Sequence, residues 1–196
     1  MEPGAWLAAA RAACFGAALL LAAAAPAAAD PVRIVAFGDS ATAGYLVPRD
    51  QAYPAQLQAA LRKKGYDVTV KNAGVNGGTL AGALKRFDQA IDPGTDLVLV
   101  EFGTNDLRDG ATMAAVRARL TELIRSLRAR RIQVLVIGLG ALDLSEIAKI
   151  NGVPYALWKL PRGIYRARDG AHFNAQGYAI LVASMLPQIE ALIARH

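Results

Sequence analysis

Apolar and polar positions change period several times along the chain, and those changes mark its elements. Val32–Phe37 is a short, mainly apolar run stopped at Gly38, the pattern of a buried strand. Tyr53–Lys64 has helical spacing, with Pro54 in the first turn and Gly65 just past the end. Asp67–Lys71 alternates β-branched and polar residues and predicts a second strand. Thr79 is placed to cap a helix reaching about Ala90, and Pro93-Gly94 marks a turn. Asp96–Phe102 is apolar enough for a central strand. From Thr112 onward, Met113, Val116, Leu120, Leu123, Ile124 and Leu127 recur at helical steps and form one buried stripe. Ile132–Ile137 predicts a fourth strand, Asp143–Ile150 a short helix ended at Gly152, and Val153–Leu157 a weaker fifth strand. Asn174 can cap a last helix, which Pro187 should kink or break.

Strands alternating with helices predict an α/β domain, a parallel sheet covered on both faces. Such sheets place ligands at the carboxyl ends of their strands. Three polar clusters follow strands directly: Gly38-Asp39-Ser40, Asn72–Thr79 and Gly103–Asp106. A fourth, Asp169–His172, precedes the last helix. The topology should gather all of them on one rim.

The N-terminus follows a different rule. Residues 1–29 are nearly all apolar, with Arg11 ahead of a run from Ala12 to Ala25 and Pro26-Ala27-Ala28-Ala29 before Asp30. This is the pattern of a secretory signal peptide with a small-residue cleavage site, and the run is short for a membrane span. It also inflates the hydrophobic fraction of 54%. Cleavage leaves residues 30–196 as one domain, large enough for a single core. The product is expected to be periplasmic or secreted, with no lasting membrane anchor and as a monomer. The one cysteine, Cys14, leaves with the signal, so the domain must rely on its core rather than on disulfides. The net charge is +6 with or without residues 1–29. Arg117, Arg119, Arg125, Arg128, Arg130 and Arg131 read as the solvated face of one helix, and no nucleic-acid motif accompanies them.

The clusters carry the chemistry. Ser40 follows a buried strand on a tight turn, where its hydroxyl and its own N–H can face one space. The other serines of the chain, Ser126, Ser145 and Ser184, fall inside predicted helices. Serine needs a base, usually histidine, and the base needs a carboxylate to fix its tautomer. The chain has two histidines, one of them the terminal His196, so His172 is the base and Asp169, three residues earlier, its partner. A metal site would need further His or Cys ligands that the chain lacks. Acyl transfer also needs donors for a tetrahedral oxyanion. The glycine-rich Asn72–Thr79 loop can offer a backbone N–H, for which Gly77 is favoured, and Asn105 offers a neutral amide. Each loop alone could be an ordinary turn. No G-K-[ST] element supports phosphate binding.

Taken in this order, GDS at Gly38–Ser40, Gly77 in NAGVNGG, Asn105 in GTND and Asp169/His172 in DGAHF resemble the SGNH hydrolases, the GDSL-type esterase/lipase superfamily. The resemblance runs from residue 32 to the last helix. It implies an α/β/α sandwich with a flavodoxin-like sheet of about five parallel strands. It implies Ser40, His172 and Asp169 as triad, with the Ser40 N–H, the Gly77 N–H and the Asn105 side chain as oxyanion donors, and no cofactor. Within the superfamily the chain looks most like the bacterial periplasmic thioesterase/lysophospholipase/arylesterase group. Ala41 departs from a common leucine, and the stretch between Asn105 and Asp169 is shorter than in that group, which weakens an expectation of long-chain acyl preference. The expected substrate is therefore a small acyl ester or thioester. An O-acetylated cell-wall or exopolysaccharide is the alternative, and an inactive binding protein the remote one. Tyr45, Leu46, Leu107, Trp158 and Ile164 are candidate pocket residues, with Phe102 and Tyr155 beside them.

Overall fold

The computed structural model describes residues 30–159 and 163–195. Residues 1–29, read above as a signal peptide, lie outside them. The strands are β1 (Val32–Gly38), β2 (Val68–Asn72), β3 (Leu97–Glu101), β4 (Gln133–Leu139) and β5 (Tyr155–Trp158), all parallel, in the order β2-β1-β3-β4-β5. That order is flavodoxin-like, and its reversal falls between β1 and β3.

The sheet's two faces explain the apolar runs. Ile34, Ala36, Leu97, Leu99, Leu135 and Ile137 point to one side, under α2 (Tyr53–Lys63) and α8 (Ala175–Ile193). Val35, Phe37, Val98, Val100, Val134 and Val136 point to the other. There they meet α3 (Leu80–Lys85), α4 (Phe87–Ala90), α6 (Met113–Ala129) and α7 (Ser145–Ile150). The stripe predicted on α6 is buried at Val116, Leu120, Leu123, Ile124 and Leu127, while Met113 is exposed.

Some elements depart from the pattern. The helix expected from Thr79 to Ala90 is broken at Arg86 into α3 and α4. The guanidinium of Arg86 turns inward over the Phe37 ring, 4.4 Å from its centroid, and donates to the carbonyls of Ala73 and Gly38. Pro187 does not break α8, which runs through it. Residues before and after the proline are buried, so packing on the sheet outweighs the lost backbone hydrogen bond. Two short helices were not legible as periods: α1 (Ser40–Ala43) and α5 (Thr104–Arg108). Both begin where a strand ends, and both carry a residue of the site.

Candidate active site

β1 delivers Ser40. Its last residue, Gly38, sits where a Cβ would fall 2.0 Å from Thr42 Oγ1 and 2.7 Å from the Glu101 carbonyl, so only glycine lets the chain turn there. Asp39 caps α1, its Oδ1 accepting from the Ala41 N–H at 2.8 Å. Ser40 is the first residue of α1, where backbone N–H groups have no intrahelical partner. The Tyr178 hydroxyl on α8 donates to the Ala41 carbonyl at 2.8 Å and ties α1 to the far helix.

The loop before α8 delivers His172. Its neighbour Phe173 is 1% exposed and packs against Trp158 and Tyr178, which fixes the loop at that point. Asp169 Oδ1 accepts from the N–H groups of Ala171 and His172, both at 3.0 Å. Its Oδ2 lies 2.5 Å from His172 Nδ1. With Nδ1–H donating to that carboxylate, Nε2 is left as an acceptor, and it lies 2.9 Å from Ser40 Oγ. Residues 132 positions apart thus meet in hydrogen-bonding contact. The Tyr45 ring stands edge-on to the imidazole, centroids 4.9 Å apart. The hydrogen bond from His172, reinforced by the two backbone donors, holds the Asp169 carboxyl down to about 2. A depressed carboxyl exerts its full effect above its unfolded value and loses it only as the pH falls through about 2. Asp169 is therefore charged wherever an imidazole can serve as base.

β3 delivers Asn105 at the opposite lip. The amide is buried, and both of its N–H bonds are engaged: Nδ2 donates to Asp39 Oδ2 at 2.9 Å and to the Gly78 carbonyl at 3.0 Å. Its Oδ1 accepts from Arg108 at 2.9 Å, one turn further along α5. Donation to an incoming oxyanion thus requires the Gly78 bond to yield. The glycine loop approaches through Gly78, where a Cβ would stand 3.4 Å from Asp39 Cα and from the Gly38 carbonyl. Gly77 lies at the crest of the same turn with φ +71°. The buried Asp106 carboxylate pins the loop's far end, accepting from the Leu80 N–H at 2.9 Å and facing Arg119 at 3.4 Å.

Between these walls lies a small cleft of about 140 Å³, lined by Ser40, Thr104, Asn105, Arg108, Leu139 and His172. Thr104 and Leu139 also border an adjoining, more apolar groove of about 500 Å³, completed by Leu107, Met113, Ala141 and Leu142. The Thr104 hydroxyl is buried at this junction with no hydrogen-bond partner among the described residues.

The expected pocket residues separate. Tyr45 touches the imidazole and Leu107 lines the apolar groove. Leu46 faces clefts on the outer side of α1 and Ile164 is 73% exposed; neither borders the space beside Ser40. Trp158 must be reassigned. It is fully buried under α2 and α8, because β5 begins and ends later than expected and turns the indole toward the core. Phe102 is buried as well, edge-on to Phe37. Tyr155 is half-buried, and its hydroxyl accepts from the Leu144 N–H.

A serine hydroxyl beside an imidazole at the switch point of a flavodoxin-like sheet defines a class of α/β hydrolytic site. Residues 36–163 match the GDSL-like Lipase/Acylhydrolase family, and the chain belongs to that family. Among characterised proteins it is similar to the arylesterase of Vibrio mimicus, 38% identical over 93 residues, covering 47% of this chain and 46% of that protein. It is also similar to esterase TesA of Pseudomonas aeruginosa, 33% identical over 107 residues, 54% of this chain and 53% of that one. The chain spans about half the length of these curated relatives. The crystal structure of TesA superposes with a TM-score of 0.73 at 25% identity, covering 82% of this chain and 99% of that one.

Proposed function

We propose that the protein is an exported serine hydrolase of small carboxylic esters or thioesters, with Ser40 as nucleophile, His172 as base and Asp169 as the group that orients it. The 2.9 Å approach of His172 Nε2 to Ser40 Oγ carries this reading. As Oγ attacks the substrate carbonyl, its proton passes to Nε2, and the imidazolium formed is stabilised by Asp169. The Ser40 N–H, the Gly77 N–H and the Asn105 amide serve the oxyanion, each donor worth roughly 3 kcal/mol at the transition state. The imidazolium then protonates the departing alcohol or thiol. A water, deprotonated by the same nitrogen, releases the acyl group and restores Ser40. A fluorophosphonate probe should add one phosphonyl group to the enzyme, located on Ser40 by peptide mass. Labelling elsewhere, or none, would remove the assignment.

The names of the relatives suggest aryl esters as convenient substrates, and a lysophospholipid is the larger candidate. The apolar groove beside Thr104 favours an acyl chain over an acetyl group alone, because it continues directly from the cleft. Its walls are open: Leu107 and Met113 are 36% and 45% exposed, which suits short and medium chains. The signal-like pattern of residues 1–29 supports a periplasmic or secreted location. Leu142→Trp should fill the groove and lower kcat/KM for octanoyl esters roughly tenfold while leaving acetyl esters within about twofold. Equal losses for both would take the acyl chain out of this groove, and a wild-type enzyme confined to acetyl esters would favour the carbohydrate O-acetylesterase reading.

A further inference from the structure

Beneath the catalytic turn lies an acid that hydrolysis itself does not use. Glu101 ends β3 and is 1% exposed. Its Oε2 accepts from Thr42 Oγ1 at 3.0 Å and lies 3.4 Å from the Asp39 amide nitrogen. Its carboxyl is also hydrogen-bonded to the carboxyl of Asp39, itself 2% exposed. Two carboxyl groups can share such a bond only with a proton between them. Asp39 already accepts at both oxygens, at Oδ1 from Ala41 and at Oδ2 from Asn105, whereas the contacts that Glu101 accepts from Thr42 and from the Asp39 N–H both fall on Oε2 and leave Oε1 to carry the proton. The proton therefore belongs to Glu101. Burial, joined by the Asp39 charge, drives Glu101 well above the usual carboxylate range, while burial raises Asp39 as well. The other groups that bear on the pair are the phenols of Tyr53 on α2 and Tyr178 on α8, with Arg108 and His172 acting on Asp39 from the cleft side.

We propose that Glu101, held neutral, is a positioning residue for the oxyanion site: it donates its proton to Asp39, and Asp39 so fixed holds the Asn105 amide in register with Ser40. The inference rests on the hydrolytic reading above and adds a second layer to it. An ionised Glu101 would place two like charges in contact in a buried space, and relief by swinging Asp39 aside would break its bond to Asn105. The arrangement also explains why the amide is gripped from both ends, by Asp39 at Nδ2 and by Arg108 at Oδ1. A donor that must be in place before the oxyanion forms gains most from such restraint.

The test separates positioning from mere support of the fold. Glu101→Gln keeps a donor toward Asp39 and an acceptor for Thr42, and should hold kcat within about threefold. Glu101→Leu keeps the volume and loses both, and should lower kcat roughly thirtyfold with KM within about twofold. Asn105→Ala should lower kcat on the order of a hundredfold. In the Asn105→Ala background, Glu101→Leu should cost less than about threefold more, because the group it positions is gone. Additive losses, an unchanged kcat for Glu101→Leu, or a loss in Glu101→Gln as deep as in Glu101→Leu would each overturn the proposal. If the leucine variant does not fold, Glu101→Asp takes its place, since it keeps the acid but withdraws it by one methylene, and the same coupling to Asn105 decides. Turnover surviving in Ser40→Ala would instead defeat the hydrolytic reading. Loss of turnover there, with Glu101 and Asn105 uncoupled, would defeat the positioning role alone.

Discussion

Replacing Ser40 by alanine is expected to reduce hydrolysis of p-nitrophenyl acetate on the order of 10⁶-fold in kcat, to the rate that binding and the oxyanion donors sustain without a nucleophile. In the proposed mechanism nucleophile and base act as one unit across a single 2.9 Å contact, so replacing His172 by alanine should cost about as much, and the double variant should lose little more. Asp169→Asn should be milder, on the order of 10⁴-fold, since it leaves the geometry and spoils the tautomer. The pattern matters more than any one value. Independent losses that multiply would mean that the contact between Ser40 and His172 is not used in turnover. Activity retained in the Ser40 variant would leave the site without a function. Each variant is compared at matched stability, which is simple here because Ser40 and His172 lie at the rim of the sheet while the core residues sit below them.

Much of the candidate site is legible in the sequence, and the reason is local. Gly38-Asp39-Ser40, Gly103–Asp106 and Asp169–His172 each sit against an element whose period is strong, so their places on the rim follow from the order of strands. Asp169 and His172 needed only one turn to meet. What stayed hidden were partners set by tertiary contact. Glu101 looked like one polar residue at the end of an apolar strand, and nothing in DLVLVEF says that it faces Asp39 rather than solvent. Arg86 belonged to a helical pattern that it in fact interrupts, and its guanidinium lies over the Phe37 ring. Arg108 did carry a signal, lying three residues after Asn105 on what proves to be one helical turn. The structure separates the two glycines of the loop: Gly77, the one favoured from sequence, takes φ +71° at the crest of the turn, and Gly78 is the one that approaches Asp39.

Trp158 provides the second large effect, and it tests the reassignment directly. The indole is fully buried, edge-on to Tyr53 at 4.7 Å between centroids and to Phe173 at 6.1 Å, with Nε1–H donating to Met185 Sδ at 3.0 Å. Removing it strips a large apolar contact from the layer under α2 and α8 and leaves a cavity that rigid neighbours fill only in part, so Trp158→Ala should cost about 3–5 kcal/mol of stability. The loss should appear as a lower urea midpoint with an unchanged slope. It should also reach the site by a definite route. Phe173 loses one wall of its pocket, and His172 is its immediate neighbour, so kcat should fall by roughly the same modest factor for every acyl length. Trp158→Phe keeps the ring against Tyr53 and Phe173 and should recover most of both losses. A pocket-wall tryptophan predicts the reverse, a stable variant whose preference among acetyl, hexanoyl and octanoyl esters is redistributed, and that result would put the indole back in contact with substrate.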